Sequence, residues 1–262
     1  MRTGISIVTI SYNKGPYIEE CIRSVVEQRC EGLDYVVVDA GSTDDSRQTI
    51  ARYRRLISTL IEEPDEGPAD GLNKGFRAAK CDILGYLNAD DCYAPDALAF
   101  VVRYFAEHPD VDVLCGAIRI IDQTGRAALR KRTSDRFDLT AYAAGICTVN
   151  QQATFFRRDA FERAGGFNRS NRIAWDGELL VDMALAGARF ATVRKVLGDF
   201  RIYRGSITGS DGYRQKVEHY LDDIGRRLAD RRIATYSPRQ EKWRRLLYRF
   251  NVSRHIDYLL VH

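Results

Sequence analysis

The stretch ILGYLNADDCYAPDAL, residues 83 to 98, decides how the fold is predicted. It starts with an apolar run typical of a strand that is covered on both faces, and it ends in a helix start near Pro95. Between them, the adjacent carboxylates Asp90 and Asp91 close the strand. Neighbouring carboxylates repel each other, so the pair indicates a site for a cation, although Asp91 could instead cap the following helix.

Strand-like and helix-like segments alternate upstream of this stretch. Helical spacing begins near Tyr17, Asp44 and Ala69, and the strand-like segments are residues 5–10, 35–38, 56–61 and 83–87. This alternation predicts an α/β fold with a mainly parallel, Rossmann-like sheet flanked by helices. Ligands of such sheets bind at the carboxyl ends of the strands, where this chain has polar or acidic residues in each case.

Composition divides the chain into a domain and a basic tail. The 262 residues are 45% hydrophobic, enough for one globular domain, which we place at residues 1–228. The extension, residues 229–262, holds eight Lys and Arg against three Asp and Glu, interleaved with aromatic and aliphatic residues. Such a segment suits contact with an anionic lipid surface, or it packs on the domain with its Arg residues solvated. Because the positive charge is confined to this tail, nucleic acid is not an expected partner.

Cysteine usage and hydropathy indicate a cytoplasmic protein. The six cysteines form no C-x-x-C pair, which fits a reducing compartment better than a disulfide framework. The first apolar run is too short for a signal peptide, and no continuous apolar stretch is long enough for a transmembrane helix. We therefore expect a cytoplasmic location, with peripheral contact at the inner face of the plasma membrane if the tail binds lipid.

Five motifs follow one another along the chain: VTISYN (8–13), VVDAGSTD (37–44), EPDEG (63–67), DGLNKG (70–75) and LNADD (87–91). In order and spacing, they resemble the motifs of the inverting, family 2 glycosyltransferases with the GT-A fold. The resemblance covers residues 4–210, and the third and fourth segments resemble those of members that build bacterial surface polysaccharides. By this likeness, residues 1–122 form the nucleotide-binding half of the catalytic domain and residues 123–228 the acceptor half.

The resemblance implies roles for individual residues in the nucleotide-binding half. Asp39 would accept a hydrogen bond from the nucleobase, Asp90 would lie near the ribose and the metal, and Asp91 would ligate Mn²⁺ or Mg²⁺ directly. Hard oxygen ligands of this kind suit both ions. The remaining donor-binding residues implied by the likeness are Thr9, Ser11, Tyr12, Asn13, Asn73, Lys74 and Asn88. Turn formation by Asp39, and close packing of residues 73–75 on the sheet, are the structural alternatives.

The acceptor half carries the implied catalytic base. The segment GGFN (165–168) followed by AWDGELL (174–180) resembles the family's turn and acidic helix start, which makes Asp176 the base and Glu178 its alternative. A carboxylate must take the proton of the acceptor hydroxyl when the reaction inverts the anomeric carbon. A simple helix cap is the competing explanation for Asp176.

The chain departs from the family pattern at several positions. Ala40 replaces a glycine, Asn88 replaces a common Asp, and Tyr203 stands where relatives often have His. The lost histidine leaves Arg201 or Arg204 to supply positive charge to the diphosphate. Gln152, in a segment where relatives often have a His-Gln pair, is a predicted substrate contact.

The sequence thus predicts a metal-dependent transferase that moves a sugar from a nucleoside-diphosphate sugar, of the UDP type, to a hydroxyl of a glycan or lipid-linked acceptor in bacterial polysaccharide biosynthesis. A catalytically inert nucleotide-binding relative and a nucleotidyltransferase remain as alternatives. A Rossmann oxidoreductase is disfavoured, because the loop after the first strand reads SYNKGP rather than G-x-G-x-x-G.

Overall fold

The computed structural model describes residues 2–206 and 213–234. Its strands are β1 (Arg2–Ser11), β2 (Leu33–Asp39), β3 (Thr59–Glu62), β4 (Cys81–Asn88), β5 (Cys92–Tyr93), β6 (Val113–Ile121), β7 (Ala127–Thr133), β8 (Thr154–Arg157) and β9 (Phe190–Arg201). Its helices are α1 (Gly15–Val26), α2 (Ser46–Arg52), α3 (Pro68–Ala78), α4 (Ala97–Glu107), α5 (Leu139–Ala143), α6 (Arg158–Arg163), α7 (Trp175–Leu185) and α8 (Tyr213–Asp230). The predicted α/β alternation is confirmed.

The first half of the sheet is parallel and runs in the order β3-β2-β1-β4. In register, Ser11 lies beside Asp39, and Ile10 lies beside Asn88. The carboxyl ends of three neighbouring strands therefore meet at one edge of the sheet, which places the predicted polar residues together. The third strand begins later than predicted, since Arg54–Leu56 form a 3₁₀ turn before it.

The second half of the sheet adds antiparallel pairings. Strand β8 pairs antiparallel with both β4 and β6, and β9 runs parallel to β6. The two-residue strand β5, which directly follows the acidic pair, is antiparallel to β9, with Cys92 beside Asp199. This pairing brings the end of β9 to Asp90 and Asp91, a proximity of residues more than a hundred positions apart in sequence.

Two apolar cores cover the two faces of the sheet. On one face, α1 and α4 bury side chains such as Ile22 and Val101 against β1 and β2. On the other face, α3, α6 and α7 pack around an aromatic cluster that includes Phe76 and Phe167. Helix α3 lies so close to β1 that a Cβ on Gly75 would come within 2.3 Å of Val8 Cγ1. Close packing thus requires the glycine that ends the segment NKG.

Helix α8 packs on α7 through Val181, Ile224 and Leu228. Its Arg227 forms ion pairs with Glu178 and Asp182 of α7. The predicted domain boundary between residues 228 and 229 falls within the last turn of α8, and residues 235–262 of the predicted basic extension lie outside the described residues. The tail's lipid contact therefore stays a prediction.

All six cysteines are free thiols, and five of them are buried. Within residues 2–206 and 213–234, no helix is both long enough and apolar enough to cross a bilayer.

Candidate functional site

A cavity of about 790 Å³ opens at the carboxyl ends of β1, β2 and β4. The acidic pair lies on its wall together with the end of β9, the loop before α3 and the start of α7. The lining residues are Ile10, Ser11, Tyr12, Lys14, Ala40, Pro64, Asp65, Glu66, Gly67, Pro68, Asn88, Ala89, Asp90, Asp91, Arg172, Trp175, Phe200, Arg201 and Ser206. A cavity of this size accommodates a ligand as large as a nucleotide sugar.

Asp91 is almost completely buried, at 1% exposure. Its Oδ1 accepts a hydrogen bond from the backbone N–H of Arg201 at 2.9 Å, and its Oδ2 accepts one from Gln152 Nε2 at 2.9 Å. The pKa of Asp91 is raised to about 8, mainly by burial and to a smaller extent by repulsion from Asp90. Gln152, predicted as a substrate contact, thus orients the Asp91 carboxylate in this structure.

Asp90 is held by a different set of donors. Lys14 Nζ lies 2.8 Å from its Oδ2, and the Tyr203 hydroxyl donates to the same oxygen at 2.8 Å. No hydrogen bond from the described residues reaches Asp90 Oδ1. The two carboxylates therefore differ, because one is fixed by neutral donors and the other by an ammonium and a phenol.

The Arg201 side chain holds the backbone of the acidic pair at Asp90. Each of its three guanidinium nitrogens donates within the protein: Nε to the Asp90 carbonyl at 2.8 Å, and the other two to the Asp122 carbonyl at 3.0 Å and to Glu20 at 2.6 Å. Its side chain is 1% exposed. Arg201 lines the cavity, but these hydrogen bonds give it a structural role. Its predicted contact with a diphosphate would have to be made in addition to them. Arg204, the other predicted cation, is exposed on the turn after β9.

The donor set fits a divalent cation that arrives with its ligand. From the described residues, Asp91 accepts one hydrogen bond on each oxygen and Asp90 accepts none on its Oδ1, so both carboxylates retain lone pairs. In the described part of the chain, no group of three or more His, Cys, Asp or Glu side chains could enclose a metal ion. Mg²⁺ and Mn²⁺ are commonly held by one or two carboxylates while phosphate oxygens complete the shell, which matches this arrangement.

The residues at the end of β1 point to different sides. Ser11 lines the cavity, and its buried hydroxyl has no hydrogen-bond partner among residues 2–206 and 213–234. Tyr12 also lines the cavity and is 59% exposed. Thr9 faces the core, where its Oγ1 accepts a hydrogen bond from the Tyr35 hydroxyl at 3.0 Å. Asn13, with a φ of 51°, accepts a hydrogen bond from the Thr43 N–H and so fixes the loop after β2.

Asp39 forms the turn that follows β2. Its carboxylate accepts hydrogen bonds from the N–H groups of Gly41 and Ser42 and from the Ser42 hydroxyl, and its side chain is completely buried. Ala40 lines the cavity, while the positive φ of this turn, 90°, falls on Gly41. The replacement of glycine by Ala40 is therefore accommodated without backbone strain.

Asn73 and Lys74 tie loops together. Asn73 exchanges two hydrogen bonds with the backbone of Phe167, at 2.8 and 3.0 Å, and so fixes the turn that leads towards α7. Lys74 donates to the Pro64 carbonyl at 2.7 Å and pairs with Glu63 and Asp70. Neither residue is among those that line the cavity; both hold loops that form its wall. Their predicted contact with the diphosphate remains a prediction.

Asp176 lies beside the cavity, in a separate space of about 20 Å³ that is also lined by Tyr86, Tyr142 and Gln151. Burial raises the pKa of Asp176 above the ordinary value of an aspartate, which is the direction that favours a general base. A Cβ on Gly177 would come within 2.2 Å of the Tyr142 hydroxyl, so glycine is needed where this tyrosine covers the first turn of α7.

Glu178, the alternative base, is engaged in structure. It accepts hydrogen bonds from Asn168 at 3.0 Å, Asn171 at 2.7 Å and Arg227 at 3.3 Å. Its side chain is 12% exposed. These contacts hold the loop before α7 and join α7 to α8, and they leave Asp176 as the better candidate for a base.

The structure adds lining residues that sequence reasoning did not assign. Trp175 is 6% exposed, and its indole Nε1 has no hydrogen-bond partner in the described structure. Arg172 and Asp65 contribute opposite charges to the wall, and Lys14 contacts the acidic pair. The sequence signal that could have indicated Lys14 and Trp175 is their position beside predicted site residues, since Lys14 directly follows Asn13 and Trp175 directly precedes Asp176.

Comparison with known proteins gives the family. The model of the family described as Glycosyl transferase family 2 matches residues 6–165. The chain belongs to this family. It is therefore a glycosyltransferase, as the sequence motifs predicted, and the matched residues include both Asp90 and Asp91.

Mycobacterial proteins are among the relatives of this glycosyltransferase. It is 30% identical over 200 residues to an uncharacterized glycosyltransferase of Mycobacterium tuberculosis, covering 75% of this chain and 74% of the relative. It is 31% identical over 181 residues to a PGL/p-HBAD biosynthesis glycosyltransferase of Mycobacterium bovis, covering 65% of this chain and 66% of the relative.

Solved structures with similar folds support the GT-A assignment. The crystal structure of S. aureus TarS 1-349 in complex with UDP-GlcNAc aligns with a TM-score of 0.69 at 19% identity, over 99% of this chain and 76% of the other. The mannosyltransferase PcManGT from Pyrobaculum calidifontis, in complex with GDP-Man and Mn²⁺, aligns with a TM-score of 0.64 at 22% identity, over 94% and 69%. The predicted GT-A fold is confirmed.

Proposed function

We propose that this protein is an inverting, metal-dependent glycosyltransferase that moves a sugar from a nucleoside-diphosphate sugar to a hydroxyl group of a glycan or lipid-linked acceptor. The proposal rests on one observation: Asp90 and Asp91 line a cavity of about 790 Å³ at the carboxyl ends of the parallel strands. Ser11 on the same wall has a buried hydroxyl without a partner in the described part of the chain, and a polar ligand would satisfy it.

The acidic pair would hold Mn²⁺ or Mg²⁺ through Asp91 and through Oδ1 of Asp90, which accepts no hydrogen bond from the described residues. When bound, such an ion supplies Lewis-acid stabilisation of the charge on a departing nucleoside diphosphate. Support for a divalent ion comes from this donor set and from the Mn²⁺ in the PcManGT structure. Gln152 and the backbone N–H of Arg201 fix the Asp91 carboxylate, and the Arg201 guanidinium holds the backbone carbonyl of Asp90.

Asp176 would take the proton of the acceptor hydroxyl as that oxygen attacks the anomeric carbon. Its raised pKa makes it a stronger base once it is ionised. It lies one residue from Trp175, which lines the donor cavity, so the base and the proposed donor site share the start of α7. Transfer from the side opposite the leaving group inverts the anomeric configuration.

The donor and acceptor classes are proposed from relatives. The TarS and PcManGT structures hold UDP-GlcNAc and GDP-Man, so UDP and GDP are the carriers to test first. The Mycobacterium bovis relative is named for PGL/p-HBAD biosynthesis, which favours an acceptor of a surface glycolipid or polysaccharide route. Six free thiols agree with an enzyme that works in a reducing, cytoplasmic compartment.

A donor screen tests the proposal. Purified protein is incubated with UDP-, GDP- and dTDP-sugars and with Mn²⁺ or Mg²⁺, and release of the nucleoside diphosphate is measured. We expect release from at least one donor, and we expect Asp176→Asn to reduce transfer roughly 10²- to 10⁴-fold with nucleotide affinity nearly unchanged.

Glu178→Gln is the matched control on the same turn of α7, and its effect should be on stability rather than on the chemical step. Normal turnover by Asp176→Asn would contradict the base assignment. If no donor binds or reacts, the transferase proposal fails, and binding without turnover would indicate an inert relative.

A further inference from the structure

Lys14 is a cation built into the wall of the cavity. It lies between β1 and α1, and its backbone is fixed, because its N–H donates to Ser46 Oγ at 2.9 Å and its carbonyl accepts from Tyr17 and Ile18. Only the four-carbon side chain can move. The ammonium therefore starts from a defined point next to the acidic pair.

The ammonium belongs to a closed triangle of hydrogen bonds. Lys14 Nζ contacts Asp90 Oδ2 at 2.8 Å and the Tyr203 hydroxyl at 2.5 Å, and that hydroxyl donates to Asp90 Oδ2 at 2.8 Å. Tyr203 is fixed in turn by Tyr17, whose ring centroid lies 4.9 Å from its own. Side-chain exposures of 26% for Lys14 and 13% for Asp90 show that solvent screens this pair only in part.

Hydrogen-bonding capacity is left over on both partners. A lysine ammonium has three donors, and the described residues use two of them. Oδ2 of Asp90 already accepts from two groups, whereas Oδ1 accepts from none of the described residues. One N–H of Lys14 and one oxygen of Asp90 are thus available to a ligand in the cavity that both residues line.

Charge decides what that ligand can be. Asp90 and Asp91 together would repel an anion, and Lys14 cancels one of their two charges when both are ionised. The Asp90 carboxylate, whose Oδ2 lies 2.8 Å from Lys14 Nζ, favours the charged form of this lysine. An anion that approaches the acidic pair therefore meets a fixed positive charge.

We propose that Lys14 is a donor-binding residue that holds Asp90 in an ion pair and uses its remaining N–H to bind the diphosphate of the nucleotide. This inference rests on the proposed function and adds a residue to it. Because Lys14 and a divalent cation draw on the same carboxylate, Lys14 weakens metal binding in the absence of nucleotide. It also allows part of the diphosphate affinity to persist without metal.

The experiment compares Lys14→Met, which removes the charge, with Lys14→Arg, which keeps it, and with Tyr203→Phe, which removes only the phenolic hydroxyl. Calorimetry measures the binding of UDP and GDP in EDTA and with Mn²⁺, and electron paramagnetic resonance measures Mn²⁺ binding without nucleotide. Circular dichroism and melting curves verify that each variant is folded.

In EDTA, we expect Lys14→Met to lower the affinity for the better nucleotide about tenfold, as the loss of a charge-assisted hydrogen bond predicts. Without nucleotide, the same variant should bind Mn²⁺ roughly three- to tenfold more tightly, because Asp90 loses its competing cation. Lys14→Arg should stay within about threefold of wild type in both assays, since its charge is retained. Tyr203→Phe should change both values less than Lys14→Met does.

Unchanged nucleotide and Mn²⁺ affinities in Lys14→Met would overturn the inference and leave the transferase proposal intact. Weaker Mn²⁺ binding in that variant would also overturn it, because Lys14 would then assist the ion rather than compete with it. If wild-type protein binds neither UDP nor GDP under either condition, the nucleotide site and the role of Lys14 in it both fail.

Discussion

Replacing Arg201 with methionine separates a structural role for this residue from a direct contact with the diphosphate. Methionine occupies much of the same space and removes the guanidinium that joins the end of β9 to the acidic pair. If Arg201 mainly supports the fold, the variant should lose stability. If it mainly binds phosphate, the variant should keep its stability and lose nucleotide affinity.

The magnitude follows from the contacts of the buried guanidinium. Removal leaves the carbonyls of Asp90 and Asp122 without their donors, and each hydrogen bond to a charged group is worth about 1.5–3 kcal/mol. The ion pair with Glu20 adds little, because the Glu20 side chain is 54% exposed and regains water. The free energy of unfolding should therefore fall by about 3–5 kcal/mol. In a protein of this size, the melting temperature would drop by about 6–20 °C.

Urea denaturation and differential scanning calorimetry measure this change. Arg52→Met is the matched control, since Arg52 also pairs with a glutamate, Glu19, but both side chains are about half exposed or more. Its cost should stay below about 1 kcal/mol. A stability loss below about 1 kcal/mol in Arg201→Met, together with a large loss of nucleotide affinity, would refute the structural reading.

Two further predictions concern the start of α7. Because burial raises the pKa of Asp176, the transfer rate should rise with pH through that raised value, as the base ionises. The contribution of Asp176 to stability is present at low pH and is lost as pH rises through its folded-state pKa. Asp176→Asn should therefore flatten the dependence of melting temperature on pH in that range. A slope equal to that of wild type would contradict this expectation. Trp175→Phe should weaken binding of a nucleotide sugar about two- to tenfold and leave binding of UDP unchanged, since no described residue accepts a hydrogen bond from the indole N–H. With two tryptophans in the chain, the indole N–H signals in NMR spectra report this contact, and a Trp175 signal that does not move on addition of the sugar nucleotide would exclude it.

The first half of the fold, from β1 to β4, could be predicted because its signals are local. Apolar runs, polar strand ends and helical spacing give β1 to β4 and the helices between them nearly in place. Parallel crossovers then bring the strand ends together, so the meeting of Ser11, Asp39 and Asn88 at one edge required no knowledge of side-chain contacts.

The partners of the predicted site residues could not be predicted in the same way. Arg201 and Asn73 were assigned to the ligand by motif position, yet one supports the acidic pair and the other fixes a turn 94 residues away. Each depends on a hydrogen bond between segments far apart in sequence. A motif records which residue type stands at a position but not the direction in which its side chain points.

The sequence by itself determined the family, the α/β architecture and the location of the acidic pair at a strand end, because these follow from the order of motifs and from the periodicity of apolar residues. Only the tertiary structure decided how the pair is held: Asp91 by Gln152 and the backbone of β9, and Asp90 by Lys14 and Tyr203. The physical reason is that hydrogen bonds and ion pairs act over about 3 Å in space. Those that matter here join strands and loops that the sheet brings together only after the chain has folded.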